Sequence, residues 1–161
     1  MLQKQLLVNE EPIGLLIAAA RRRIKQVVGI QARRYHLTAQ QFWVLVAVHE
    51  HPNVPLHTLA ADLHIDDPTA SRIVFSLVRR RLLQSKTDPS DRRRTCLQLD
   101  SAGEALGGTL SRVAQAVRQA VVHEMTAGET HTLRKLLRKV IANMDGFLAA
   151  NAEGLHVENR L

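Results

Sequence analysis

Apolar residues recur along most of this chain at the spacing of an α-helix, and that period is interrupted only once. From Pro12 to about Tyr35 they fall on one face (Ile13, Leu16, Ile17, Ala20, Ile24, Val27, Val28 and Gln31), with Arg21, Arg22, Lys25, Arg33 and Arg34 mostly elsewhere. Gly29 sits inside this helix and weakens it slightly. Thr38 is placed to cap a second helix, and Gln41 completes the spacing of a capping box. That helix, AQQFWVLVAVHEH, is expected to bury Phe42, Leu45, Val46 and Val48 before Pro52 stops it. A tight connection from Pro52 to Pro55 leads into a third helix carrying Leu56, Leu59, Ala60, Leu63 and Ile65. Asp66 or Asp67 can cap a fourth, TASRIVFSLVRRRLL, with Pro68 in its first turn and Ala70, Ile73, Val74, Leu77 and Val78 on its apolar side.

After Leu83 the period becomes that of a strand. SKTDPSDRRRTCLQL reads as two short strands joined by a turn at Asp88-Pro89-Ser90, with Arg92, Arg93 and Arg94 at the tip. Asp100-Ser101 then caps a fifth helix to about Met125, with Leu106, Leu110, Val113, Val117, Val121 and Val122 apolar and Gly107-Gly108 marking a bend or a close helix contact. Thr126 and Glu129 open a sixth, running through Leu133, Leu136, Leu137, Val140, Ile141, Met144 and Leu148.

Two helices followed by a basic hairpin describe a winged helix-turn-helix. The expected fold is mainly α with a small β-hairpin wing, flanked by N- and C-terminal dimerisation helices. The expected divisions of this single domain are 1–36 (N-terminal dimerisation helix), 37–100 (DNA-binding domain), 101–150 (C-terminal dimerisation helices) and 151–161 (tail). The flanking helices exceed what a winged helix of roughly 70 residues needs to fold. A symmetric homodimer would cover their leftover apolar stripes.

Composition sharpens this picture. The formal charge of +7 predicts attraction to a polyanion, and its placement favours nucleic acid over a membrane surface. Arg72, Arg79, Arg80, Arg81, Lys86, Arg92, Arg93 and Arg94 crowd the central stretch, against Asp66, Asp67, Asp88 and Asp91. With 3% aromatic residues, the core must be built from Leu, Val, Ile and Ala, which suits helices. Cys96 is the only cysteine, so no intrachain disulfide is possible. No leader pattern opens the chain and no apolar run approaches the ~20 residues of a membrane span, so a cytoplasmic protein without a membrane partner is expected.

The central stretch resembles the MarR family of transcriptional regulators, and the resemblance runs from about Ile13 to Leu148. The family's D-x-R-x5-L-T signature appears as Asp91-Arg92-Arg93 followed by Leu99-Asp100, with Gly103 after it; Leu37-Thr38 and Gln41-Phe42 match the start of the second helix. Asp100 replaces the usual Thr and keeps N-cap chemistry, whereas Arg81 stands where many members have the Gly that ends the recognition helix. The resemblance implies a homodimeric DNA-binding regulator, often a repressor, often released by a small aromatic or phenolic ligand. It also implies that Asp91 orients Arg93 for the minor groove.

Pro68, Thr69, Ser71 and Arg72 lie off the apolar side of the fourth helix and can face a major groove, where an Arg72–guanine pair discriminates by roughly 1–3 kcal/mol. Arg79 and Arg80 are placed for phosphates, and Arg92, Arg93 and Arg94 cannot all be buried. In relatives the ligand pocket lies between the dimer helices and the reading head, which makes Phe42 and Trp43 candidate ring partners and Arg21, Arg23 and Arg34 candidate carboxylate partners. Solvated or capping roles suit His49, His51, His57 and His64 better than zinc ligation, since no cysteine partners them. Cys96 should face outward or sideways from the second wing strand, with Leu97 and Leu99 inward. A phosphate loop, an activated nucleophile and a metal-ligand set are all missing from the pattern, so neither an enzyme nor a cofactor is expected. The rival reading is an architectural nucleic-acid binder with no sequence preference and no effector.

Overall fold

The computed structural model describes residues 11–87 and 95–158, with side chains described as far as Asn151. The expected wing turn and Asp91, Arg92, Arg93 and Arg94 therefore lie outside the described residues. The chain forms two compact units, Met1–Val121 and Val122–Leu161.

In the first unit the order is α1 (Ile13–Arg33), α2 (Ala39–Glu50), β1 (Val54–Pro55), α3 (Leu56–Asp62), α4 (Asp67–Arg79), β2 (Leu83–Thr87), β3 (Thr95–Leu99) and α5 (Ser101–Val121). The strands form an antiparallel sheet in the order β1-β3-β2, with Leu83 opposite Leu99, Lys86 opposite Cys96 and Val54 opposite Leu97. Leu97 and Leu99 point into the core and Cys96 is half-buried. Where the sequence suggests only a tight connection, Val54–Pro55 adds a third strand. Two residues carry no readable period, and only pairing with β3 makes them a strand.

α2 is the centre of the core. Phe42, Val44, Leu45, Val46 and Val48 are all buried, so the unbroken apolar run from Phe42 to Val48 surrounds the axis and leaves no polar stripe in the middle of the helix. α1, α4, α5 and β3 pack around it. The predicted capping box is present: the Gln41 amide donates to Thr38 Oγ1 at 3.1 Å and the Thr38 amide to Gln41 Oε1 at 2.9 Å. On α5 the buried line runs through Gly103, Gly107, Leu110, Ala114 and Val117. Gly107 provides the close contact: a Cβ there would stand 2.5 Å from His49 Nδ1, whereas one on Gly108 would meet nothing. α5 ends at Val121, before the predicted Met125, and the chain turns through Glu124 at φ 67°.

Three helices end in the same way. Beyond α1, α3 and α4, the residues His36, His64 and Arg81 take left-handed φ of 55°, 51° and 55°. In each case the next amide reaches back five residues, Leu37 to Ala32 at 3.1 Å, Ile65 to Ala60 at 3.0 Å and Leu82 to Leu77 at 3.0 Å. These are Schellman closures made without glycine.

The second unit is α6 (Ala127–Glu158), opened by the predicted box in which the Thr126 amide donates to Glu129 Oε2 at 2.8 Å. That bond holds the Glu129 carboxyl below its ordinary range. The helix continues past Asn151, where the apolar pattern fades, to Glu158. Leu136, Leu137, Ile141, Met144, Phe147 and Leu148 are exposed along it. Among the described residues no helix is long and apolar enough to cross a membrane.

Candidate nucleic-acid interface

α4 presents two different faces. Ala70, Ile73, Val74 and Leu77 are buried, while Pro68, Ser71, Arg72, Phe75 and Arg79 are exposed and Thr69 is half-buried. Its start is pinned by Asp66, which accepts from the Thr69 amide and from Thr69 Oγ1, each at 2.8 Å. These bonds, the one from the backbone first, hold the Asp66 carboxyl below its ordinary range. Of the two acids the sequence offers as caps, Asp66 is the one used, and Pro68 follows in the first turn, where its missing N–H leaves no bond unmade.

Arg72 folds back over that turn. Its Nε donates to the Pro68 carbonyl at 3.3 Å and its Nη2 to Thr69 Oγ1 at 3.1 Å. Three of its five N–H donors stay open to an incoming base edge. Two turns further on, Arg79 places its guanidinium carbon 5.9 Å from the centroid of the Phe75 ring, within cation–π range. The sequence reading passed over Phe75. Its signal was an aromatic residue inside an otherwise polar stripe, at the spacing of Ser71 and Arg79.

Gln41 ties α4 to the start of α2. Besides closing the capping box, its Nε2 donates to Ser76 Oγ at 3.0 Å, and its Oε1 accepts from Arg80 Nη1 at 3.5 Å. Arg80, expected at a phosphate, therefore has an intramolecular neighbour as well.

The expected ligand residues do not converge. Phe42 is wholly buried, edge-on to Trp43 with ring centroids 5.3 Å apart, and offers no free face. Trp43 is half-buried beneath Arg118, whose guanidinium carbon lies 5.6 Å from the indole. Arg118 also grips Glu50 with both Nη atoms at 2.8 and 2.9 Å, joining α5 to the end of α2. This grip lowers the pKa of Glu50. Arg21, Arg23 and Arg34 are exposed. A shallow cleft of about 610 Å³ between α1 and the start of α2 is lined instead by Arg22, Lys25, Gly29, Ile30, Arg33 and Thr38, among others. Arg21, Arg23 and Arg34 are not among its lining residues. Of the four histidines weighed as metal ligands, His64 forms the left-handed closure of α3 and His49 packs against Gly107.

A capped, two-faced helix with a paired strand on its far side is the frame of a winged helix reading head, and known proteins share it. The MarR family model matches residues 37–95. The HTH-type transcriptional repressor NicR of Pseudomonas putida is 31% identical over 131 residues, covering 81% of this chain and 83% of that protein. The chain belongs to the MarR family. It is a DNA-binding transcriptional regulator. Bordetella bronchiseptica BpsR, whose DNA binding is regulated by 6-hydroxynicotinic acid, superposes with a TM-score of 0.68 at 28% identity, over 81% of this chain and 93% of that one. A mutant of Escherichia coli MarR bound to operator DNA superposes with a TM-score of 0.67 at 25% identity, over 82% and 95%.

Both departures from the MarR pattern are accommodated locally. Asp100 Oδ1 accepts from the Ser101 amide, the first N–H of α5, at 2.7 Å, while its carbonyl accepts from the Glu104 amide at 2.8 Å. Arg81 adopts the left-handed conformation itself and keeps both closing bonds.

Proposed function

We propose that this regulator works in the cytoplasm as a homodimer that represses by binding a pseudo-palindromic operator and releases it on binding a small aromatic or phenolic acid. The observation that carries the DNA reading is the division of α4 into a buried apolar face and an exposed face of Pro68, Ser71, Arg72 and Arg79 beside a capped N-terminus. An N-terminus with this polarity favours anions. Each subunit sets α4 in a major groove, Arg72 reads a base, and Arg79 meets phosphate. Arg93, oriented by Asp91 and flanked by Arg92 and Arg94, enters the neighbouring minor groove. Twofold symmetry spaces the half-sites by ~10 bp or a multiple. The exposed apolar side chains of α1 and of α6 support dimerisation, since each stripe needs a cover that a second copy supplies.

The cleft at α1 supports the ligand reading: Arg22, Lys25 and Arg33 supply charge for a carboxylate, and Gly29 and Ile30 supply apolar wall. NicR, a repressor, and BpsR, regulated by 6-hydroxynicotinic acid, point to a heteroaromatic acid. The deciding experiment measures binding to the chain's own promoter fragment and to a shuffled duplex across a salt series, with and without 6-hydroxynicotinic and other simple aromatic acids. A preference of ~10³ or more that one acid abolishes is expected. A steep salt slope with no preference would replace this reading with that of an architectural binder.

A further inference from the structure

Phe75 is the one large apolar side chain on the outer face of α4, and it is 64% exposed. It lies one helical turn beyond Ser71 and one before Arg79, about 6 Å along the axis in each direction. Leaving an aromatic ring in water at this place contributes nothing to the core, whose α4 contacts come from Ala70, Ile73, Val74 and Leu77. The ring is also held: Arg79 lies over it at 5.9 Å. Cations at Arg72 and Arg79 bracket the ring, so whatever covers it is an anionic surface with an apolar feature between two positively charged contacts. A protein partner would have to supply carboxylates on both sides of a hydrophobic pocket. Duplex DNA supplies phosphates throughout, and its major groove carries one apolar group, the 5-methyl of thymine.

We propose that Phe75 is a specificity-determining residue that packs its ring on a thymine methyl in each half-site, one helical turn beyond the base met by Arg72. This rests on the reading of α4 as the major-groove helix. Removing the methyl takes away about one buried carbon, a loss of roughly fourfold in affinity per half-site.

The test uses the full chain and an operator selected by it from a random duplex pool, with each thymine replaced in turn by uracil, which lacks only the methyl. The wild type should lose affinity about fourfold at one thymine in each half-site, and about the square of that when both symmetry-related positions are changed. F75A should bind the parent operator more weakly, ignore uracil at that position and keep the same salt slope. F75L, which retains an apolar surface, should keep most of the sensitivity. Thermal melts of both variants should match the wild type, because the ring lies outside the core. Indifference of the wild type to uracil at every position overturns the assignment, and so does an unchanged uracil penalty in F75A. Either result leaves the major-groove reading standing, whereas failure of the pool to yield any preferred sequence overturns both.

Discussion

α1 and α2 follow one another in the chain and both carry Val, Ile or Leu along their length, yet their surroundings are opposite. In twelve residues α2 buries five large or medium apolar side chains. In twenty-one, α1 buries only Val28 and Ala32 and leaves Ile13 at 66% and Leu16 at 49% exposure. α2 is completed by its own subunit, with α4, α5 and β3 supplying the other side of each contact. α1 keeps a hydrophobic stripe that the same fold leaves open. One helix is therefore a matter of stability within the chain; the other, on the dimer reading proposed above, is a matter of assembly.

The sharpest way to break that contrast is at its buried end. F42A should lower unfolding free energy by about 3–5 kcal/mol, read by chemical denaturation, because the ring is wholly enclosed. At the open end, I13D combined with L16D should leave helix content almost unchanged by circular dichroism. It should shift sedimentation from dimer to monomer and weaken operator binding ~100-fold or more, through loss of the second contact. A double variant that stays dimeric would remove α1 from the interface.

The packing of α5 on α2 gives a finer test within adjacent positions. G107A should destabilise by about 1–3 kcal/mol, since the new methyl meets the His49 ring. G108A should instead stabilise by about 0.5–1 kcal/mol, through helix propensity in open space. The smallest effect concerns acid. Glu50 has a folded-state pKa below its unfolded value, mainly through the Arg118 bond, so its contribution is present above the unfolded pKa and fades as pH falls through the folded one. E50Q should flatten the acid limb of the stability profile by less than about 1 kcal/mol, because Arg118 is half exposed.

Much of this architecture is legible in the sequence because it rests on local rules. Thr38 with Gln41 and Thr126 with Glu129 announce helix starts by spacing alone, and both boxes form. The strand period after Leu83 shows where β2 and β3 lie. What the sequence hides depends on contact between distant residues: β1 exists through pairing with β3, and the Arg118–Glu50 grip spans 68 positions. The cleft beside α1 is likewise hidden, because periodicity names a helix face without saying which edge of it another helix will border. At Arg81 a glycine rule misleads only in residue type. The left-handed turn is made regardless, and R81G should raise stability by about 1 kcal/mol in a melt by removing the Cβ penalty.

Gln41 has a mechanical consequence. One amide side chain holds the Thr38 backbone with its oxygen and the Ser76 hydroxyl with its nitrogen, so the first turn of α2 and the back half of α4 are geared together. A displacement of that turn must either drag Ser76 along or disengage from it. On the ligand reading proposed above, release from an operator would need no melting of any helix, since a shift of the first turn of α2 beside the α1 cleft would reach α4 through this one side chain.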